Sequence, residues 1–269
     1  MLHIFVVVFI LIALLFALGF SVILGRSAGL AQLKIQKEGR LEILSTAESA
    51  VFGLLGLLIA FTFSGAYDRY ETRKMHIIEE ANAFEAAYAI TDITPLQYRP
   101  ALRENMREYL DLHMAAYHHI PYLTKVREDV EKSQVIQHKI WEMTIAATES
   151  SSDNGLNQLV IPVILKMFDL SHAGIDMVFI HPPRAIFILL VGLAALGSFL
   201  IGYNSAENKQ KRPVHIFSYV LLTALIIYVI INLEYPRVGF IRIDSFDQML
   251  TDVRTDMDTI EQNKNSIKK

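Results

Sequence analysis

The sequence predicts an all-α polytopic membrane protein with four transmembrane helices and a helical extramembrane domain between spans 2 and 3. Three observations carry this prediction. Hydrophobic residues make up 52% of the 269 residues, and they are gathered into long windows rather than spread. Four of those windows hold no Asp, Glu, Lys or Arg over about 20 residues, the length a helix needs to cross the hydrocarbon core with every backbone group paired internally. Between the windows, apolar residues recur at steps of three and four, the helical period, and no strand-like alternation stands out.

The first span, residues 1–25, contains the uncharged run IFVVVFILIALLFALGFSVIL. Only His3 precedes that run in place of a basic leader, and the run is longer than a signal peptide's apolar core, so it reads as a retained span. Residues 26–48 form a short loop. The second span, 49–67, reads SAVFGLLGLLIAFTFSGAY between Glu48 and Asp68. Its helix is expected to continue outward, because Ile77, Ala81, Phe84 and Tyr88 make one stripe that ends at Thr94 and Pro95.

Residues 68–183 form the extramembrane domain. A second stripe there runs Leu102, Met106, Tyr109, His113, Tyr117, and a third Val126, Val130, Gln137, Ile140, Trp141, Thr144. The run SSSDNG breaks the pattern before a further helix from Leu156 to Ile180, with Pro162 expected near its first turns. The third span is 184–203, a short loop covers 204–213, and the fourth span is 214–233. In 234–269 a turn-rich EYPRVG precedes an amphipathic helix opened by Ser245 with Gln248 three residues on. Its apolar face, with Phe246, Met249, Leu250, Val253, Met257 and Ile260, must be buried on the extramembrane helices or on another subunit.

Composition and motifs remove several function classes. A net charge of −3 leaves no basic excess for nucleic acid, and 20% charged residues is too few for a disordered chain. Without cysteine there are no disulfides, thiolate metal sites or thiol nucleophiles. No HExxH, GxSxG, GxxxxGK[ST] or GxGxxG pattern occurs, so no enzyme activity and no cofactor is expected. His113, His118, His119, His138 and His172 lack the spacing and the carboxylate partner that a helical metal site needs, so no metal is expected either. Gly53 and Gly56 in the second span, and Ala194, Ser198 and Gly202 in the third, read as places where helices approach closely.

No ionisable residue occupies the middle of a span, whereas coupled transporters and intramembrane hydrolases need such groups at membrane depth. A channel with an apolar constriction remains, as does a protein whose spans only anchor it. In the second span Leu55, Ile59, Thr62, Ala66, Arg69 and Arg73 form one slowly drifting stripe. Around an axis of several copies, the apolar members would make a neck, Thr62 would offer a hydroxyl, and Arg69 and Arg73 would ring the mouth and draw anions. In the plainer alternative the arginines pair with Asp68, Glu71 or headgroups, and Phe61 and Phe63 face lipid. Orientation stays open, because Arg26, Lys34, Lys37, Arg40, Lys209, Lys211 and Arg212 on the short-loop side balance Arg69, Arg73, Lys74, Lys166, Arg184, Arg237 and Arg242 on the other.

The stretch ESAVFGLLGLLIAFTFSGAYDRYETRKMHIIEEANAFEAAY, together with NLEYPRVGFIRIDSFDQMLTDV, resembles the signatures of the bacterial bestrophin-like family, once grouped under a domain of unknown function. The departures are Arg237 and Val238, where an aromatic after the proline is more typical, and Asp244 and Ser245, where the serine comes one place late. The resemblance implies a homo-oligomeric, pentameric ion channel of the bacterial inner membrane with anions slightly preferred. It places the neck among Leu55, Ile59, Thr62, Phe63 and Ala66, and the termini and long loop in the cytoplasm. No acidic calcium-clasp loop is present, so calcium gating is not implied. The partners expected are the lipid bilayer, further copies of the chain and small inorganic ions. The alternative from another class is a membrane-anchored helical scaffold or sensor that binds a partner through its loop domain and C-terminal helix.

Overall fold

The computed structural model describes residues 2–33, 41–120, 122–150, 155–206 and 213–267, and among them it contains helices and turns without strands. The chain is an all-α polytopic membrane protein, with four helices long and apolar enough to cross a bilayer. It divides into two compact units, residues 1–70 with 181–241 and residues 71–180 with 242–269.

The first unit contains α1 (Leu2–Leu33), the first part of α2 (Leu41–Ile90), α6 (Arg184–Asn204) and α7 (Pro213–Glu234). α1 and α2 run beyond the apolar windows, because backbone hydrogen bonding does not stop where hydropathy does. Leu14, Leu18, Val22, Leu55, Ala66, Leu190, Ala194, Ala224 and Ile227 fill the core. Large apolar side chains also cover the outside, among them Phe16, Phe20, Phe61, Ile188, Phe217 and Leu222, as suits a surface solvated by lipid tails.

In lipid there is no hydrophobic drive between helices, so close van der Waals contact between small residues has to hold them. α1 and α6 take this to the limit. A Cβ on Gly25 would stand 1.9 Å from the Phe199 carbonyl oxygen, and one on Gly202 would stand 2.0 Å from that of Val22. Ser21 Oγ donates to the Ala195 carbonyl at 2.6 Å across the same seam. Ala194, Ser198 and Gly202 are all buried, as the four-residue spacing predicts. Gly53 and Gly56 differ: among the described residues nothing beyond their own helix backbone and chain neighbours lies within 4 Å of where their Cβ would be, so neither glycine marks a close helix contact there.

The second unit contains the rest of α2, a 3-10 turn (Thr91–Ile93), α3 (Arg99–His118), α4 (Leu123–Glu149), α5 (Leu156–Phe179) and α8 (Asp244–Ile267). Thr94 is extended, the conformation required of a residue before proline, and it ends the helical run ahead of Pro95. Pro162 sits in the second turn of α5. The stripes Ile77, Ala81, Phe84, Tyr88 and Leu102, Met106, Tyr109, His113, Tyr117 are buried throughout. α8 lays Leu250, Val253 and Met257 into the same core, which accounts for its amphipathic face. Ion pairs also join α8 to α3: Arg254 bonds Asp111 through Nε at 2.8 Å and Nη2 at 3.2 Å, and Arg103 and Arg107 approach Glu261.

Candidate functional site

A residue that lines a passage between copies of a chain must be uncovered in the single chain, and that criterion sorts the predicted stripe of α2. Leu55 is 3% exposed and Ala66 is fully buried, both packed into their own unit's core, so neither presents a side chain to a neighbouring copy. Ile59 is half-buried against the same core. Thr62 is half-buried too, and its hydroxyl donates back to the carbonyls of Leu58 at 2.7 Å and Ile59 at 3.1 Å. A hydroxyl satisfied by its own helix offers little to an ion. Phe63, 42% exposed, is the one member of the predicted neck on the open side.

The open side of α2 in this unit carries Gly53, Leu57, Ala60, Ser64 and Asp68, stepping by four, three, four and four, with Gly56, Phe61, Phe63 and Tyr67 beside them. This is the face turned away from the chain's own core. It was legible in the sequence only as the complement of the apolar stripe, and in a helix that is apolar all round the two cannot be told apart.

The two arginines expected at the mouth are engaged within the protomer. Arg69 Nε stands 3.2 and 2.9 Å from the two carboxylate oxygens of Glu234, and Nη2 stands 2.8 Å from Oε2. Glu234 is fully buried, and His181 Nδ1 approaches its Oε1 at 3.1 Å. The His181 ring lies 4.4 Å from that of Tyr235. Glu234 closes α7, where the helix dipole disfavours a carboxylate, so its partners have to offset both burial and dipole. The turn that follows is held by Asn232, whose Oδ1 accepts from the Phe240 N–H at 2.5 Å. A Cβ on Gly239 would stand 2.8 Å from that same Oδ1, which is why the turn needs glycine. In the second unit, Arg73 donates from Nε to the Met177 carbonyl at 3.3 Å and from Nη2 to that of Ile180 at 2.8 Å, capping the end of α5. Proximity along the chain offers Asp68 and Glu71 as partners, whereas Glu234 lies 165 positions from Arg69 and its only sequence signal is an acid placed where the last span ends.

The second unit has a polar centre of its own. Glu80, fully buried, has His113 Nε2 at 2.5 Å from Oε1 and accepts from the Tyr117 hydroxyl at 2.9 Å on Oε2. His76 Nε2 lies 2.8 Å from the Leu170 carbonyl. Burial pushes the Tyr109 hydroxyl far above the ordinary tyrosine range, opposed by a hydrogen bond with Ser171 and reinforced by the charge of Glu80. The other histidines pair singly: His119 with Asp129 at 2.6 Å, His138 with Glu142 at 3.2 Å and His172 with Gln137 at 2.7 Å. Among the described residues no three His, Cys, Asp or Glu side chains are grouped to hold a metal.

No family model matches the sequence, and no curated protein matches it. Solved structures do match. A point mutant of a bacterial bestrophin homologue from Klebsiella pneumoniae is 12% identical, with 93% of this chain and 98% of that one covered at a TM-score of 0.63. A second point mutant of the Klebsiella pneumoniae protein gives 12%, 93%, 97% and 0.59. A membrane protein with a proline-to-alanine substitution is 14% identical, with 93% and 96% covered at a TM-score of 0.66. At such identities the fold is what is shared.

Proposed function

Taking the bacterial bestrophin homologue fold as the premise, we propose that this protein is a homo-oligomeric channel that conducts small ions passively along a passage bordered by α2. The observation that carries the reading is the uncovered face of α2 in the first unit. Small residues at Gly53, Gly56, Ala60 and Ser64 allow the close approach of another helix, which lipid tails alone do not require. Copies arranged about an axis would narrow the passage with Leu57, Phe61 or Phe63, an apolar constriction of the kind that gates by dewetting. The pentameric number and the cytoplasmic placement of the termini and long loop come from the family resemblance and belong to this proposal, as does residence in the bacterial inner membrane.

The family resemblance is what supports the sign of the conducted ion, with anions slightly preferred. A ring of Arg69 and Arg73 at the mouth does not add to that preference, because both guanidiniums are engaged inside the protomer. Purified protein in planar bilayers tests it. Currents whose size changes with Leu57→Ala or Phe63→Ala, and whose reversal potential in a KCl gradient lies toward that of Cl⁻, are expected. A folded oligomer that stays silent refutes conduction and leaves the anchored scaffold.

A further inference from the structure

We infer that Phe240 is a lipid anchor: the turn after the last span folds back over Asn232 and holds the Phe240 ring in the bilayer, at the boundary between acyl chains and headgroups. The inference does not depend on conduction.

On α7, Val214, Phe217, Leu221, Leu225, Tyr228 and Asn232 step by three, four, four, three and four, so they lie on one side of the helix. That side faces outward, with Val214 69% and Phe217 65% exposed. Its apolar members are large, whereas contacts between helices in a membrane favour small residues, so lipid tails are the cover that suits it. Asn232 interrupts this surface. It sits two residues before the end of α7 at Glu234, about 3 Å inside the span, where a bare amide would meet a hydrocarbon boundary at a cost. Yet Asn232 is only 3% exposed.

The turn supplies what covers it. Asn232 Nδ2 donates to the Tyr228 carbonyl at 2.7 Å, and Oδ1 accepts from the Phe240 N–H at 2.5 Å, so both ends of the amide are used. The Val238 and Gly239 N–H groups both donate to the Tyr235 carbonyl, at 3.0 and 2.8 Å, and close the loop tightly. A Cβ on Gly239 would stand 3.1 Å from the carbonyl oxygens of Asn232 and Tyr235, so a larger residue would loosen it. The Phe240 backbone is thereby fixed beside the last turn of the span, while 79% of the residue stays exposed. An aromatic ring held outward at that level restores the apolar surface that Asn232 breaks. Tyr235 in the same turn is exposed as well, a second aromatic where a span meets the membrane surface.

The test uses the full chain in lipid nanodiscs. Trp141 is the one tryptophan of the sequence, so Phe240→Trp in a Trp141→Phe background reports from a single place. Phosphatidylcholine brominated high on the acyl chain should quench roughly half of that emission, lipid brominated near the methyl end less, and aqueous iodide little. Iodide quenching as complete as for free tryptophan overturns the inference, because the ring is then in water. Emission that neither reagent reaches overturns it too, because protein, a neighbouring copy included, then covers the ring. Quenching strongest near the methyl end overturns the boundary placement. Adding Asn232→Ala unclasps the turn, so the ratio of lipid to iodide quenching should fall by roughly twofold or more; an unchanged ratio overturns the role given to Asn232. Should the tryptophan variants fail to fold, the cysteine-free chain accepts a nitroxide at Phe240→Cys. Dissolved oxygen should then relax the label more than a water-soluble nickel chelate does, as at Leu222→Cys on the outward side of α7, and the reverse order overturns the inference.

Discussion

The α1 and α6 seam offers the sharpest physical test of the fold. An alanine at Gly25 or Gly202 puts a methyl carbon 1.9 or 2.0 Å from a backbone carbonyl oxygen. Ordinary contact lies near 3.5 Å, so the helices would have to part by about 1.5 Å. The obstructing atom is backbone on both sides, and no rotamer change can relieve it. Over-packing usually costs about 1–3 kcal/mol, and a clash with no flexible partner belongs at the upper end, about 3 kcal/mol. At roughly 3 °C per kcal/mol for a chain of this size, each variant should melt about 10 °C below wild type in detergent, followed by intrinsic fluorescence or by retention of a monodisperse particle. Controls come from the same helices. Among the described residues, Gly19 in α1 and Gly192 in α6 have nothing beyond their own helix backbone and chain neighbours within 4 Å of the Cβ position, so their alanine variants should melt at or slightly above the wild-type temperature. Should Gly25→Ala and Gly202→Ala melt together with Gly19→Ala and Gly192→Ala, the close seam is wrong, and with it the claim that small residues hold these two spans.

Three further outcomes concern the second unit. Gly174→Ala would set a methyl 2.1 Å from the Tyr117 hydroxyl and push it off Glu80, so a loss of about 2 kcal/mol is expected, visible as faster limited proteolysis of residues 71–180. Tyr117→Phe removes one donor from the buried Glu80 carboxylate without adding bulk, and should cost about 1–3 kcal/mol by thermal melting. Tyr109 governs alkaline stability. Its phenol is raised mainly by burial, so on unfolding it becomes the stronger acid; the contribution is fully present below the ordinary tyrosine pKa of about 10 and is lost as the pH rises above it. Melting curves from pH 9 to 11 should fall less steeply for Tyr109→Phe than for wild type, and parallel slopes would contradict the assignment.

Much of this architecture could be read from residue order, and the reason is that the information is local. A span announces itself by its own length and lack of charge, and the stripe Ile77, Ala81, Phe84, Tyr88 by its own period. The face of α8 that carries Leu250, Val253 and Met257 is legible in the same way, and the extramembrane core on which it closes was one of two destinations the sequence allowed. The open face of α2 did not yield to the same method. Hydrophobic residues cover every side of the second span, so periodicity holds no record of which side meets protein and which meets lipid or water. Leu55 and Ala66 were candidates by spacing and proved to be core, whereas Gly53, Ala60 and Ser64, apolar or small like their neighbours, are the uncovered ones.

What the sequence determined by itself, then, is the solvent each segment requires: windows with every backbone bond internal and no charge to hydrate can rest only in hydrocarbon, and the stripes between them only against other helices. Tertiary structure alone decided which partner a charge meets. Arg69 and Glu234 are 165 positions apart, and a buried ion pair between such distant groups depends on where two helix ends are brought by packing, which no local pattern encodes. A formal charge read along the chain becomes an effective one only when its partner is known.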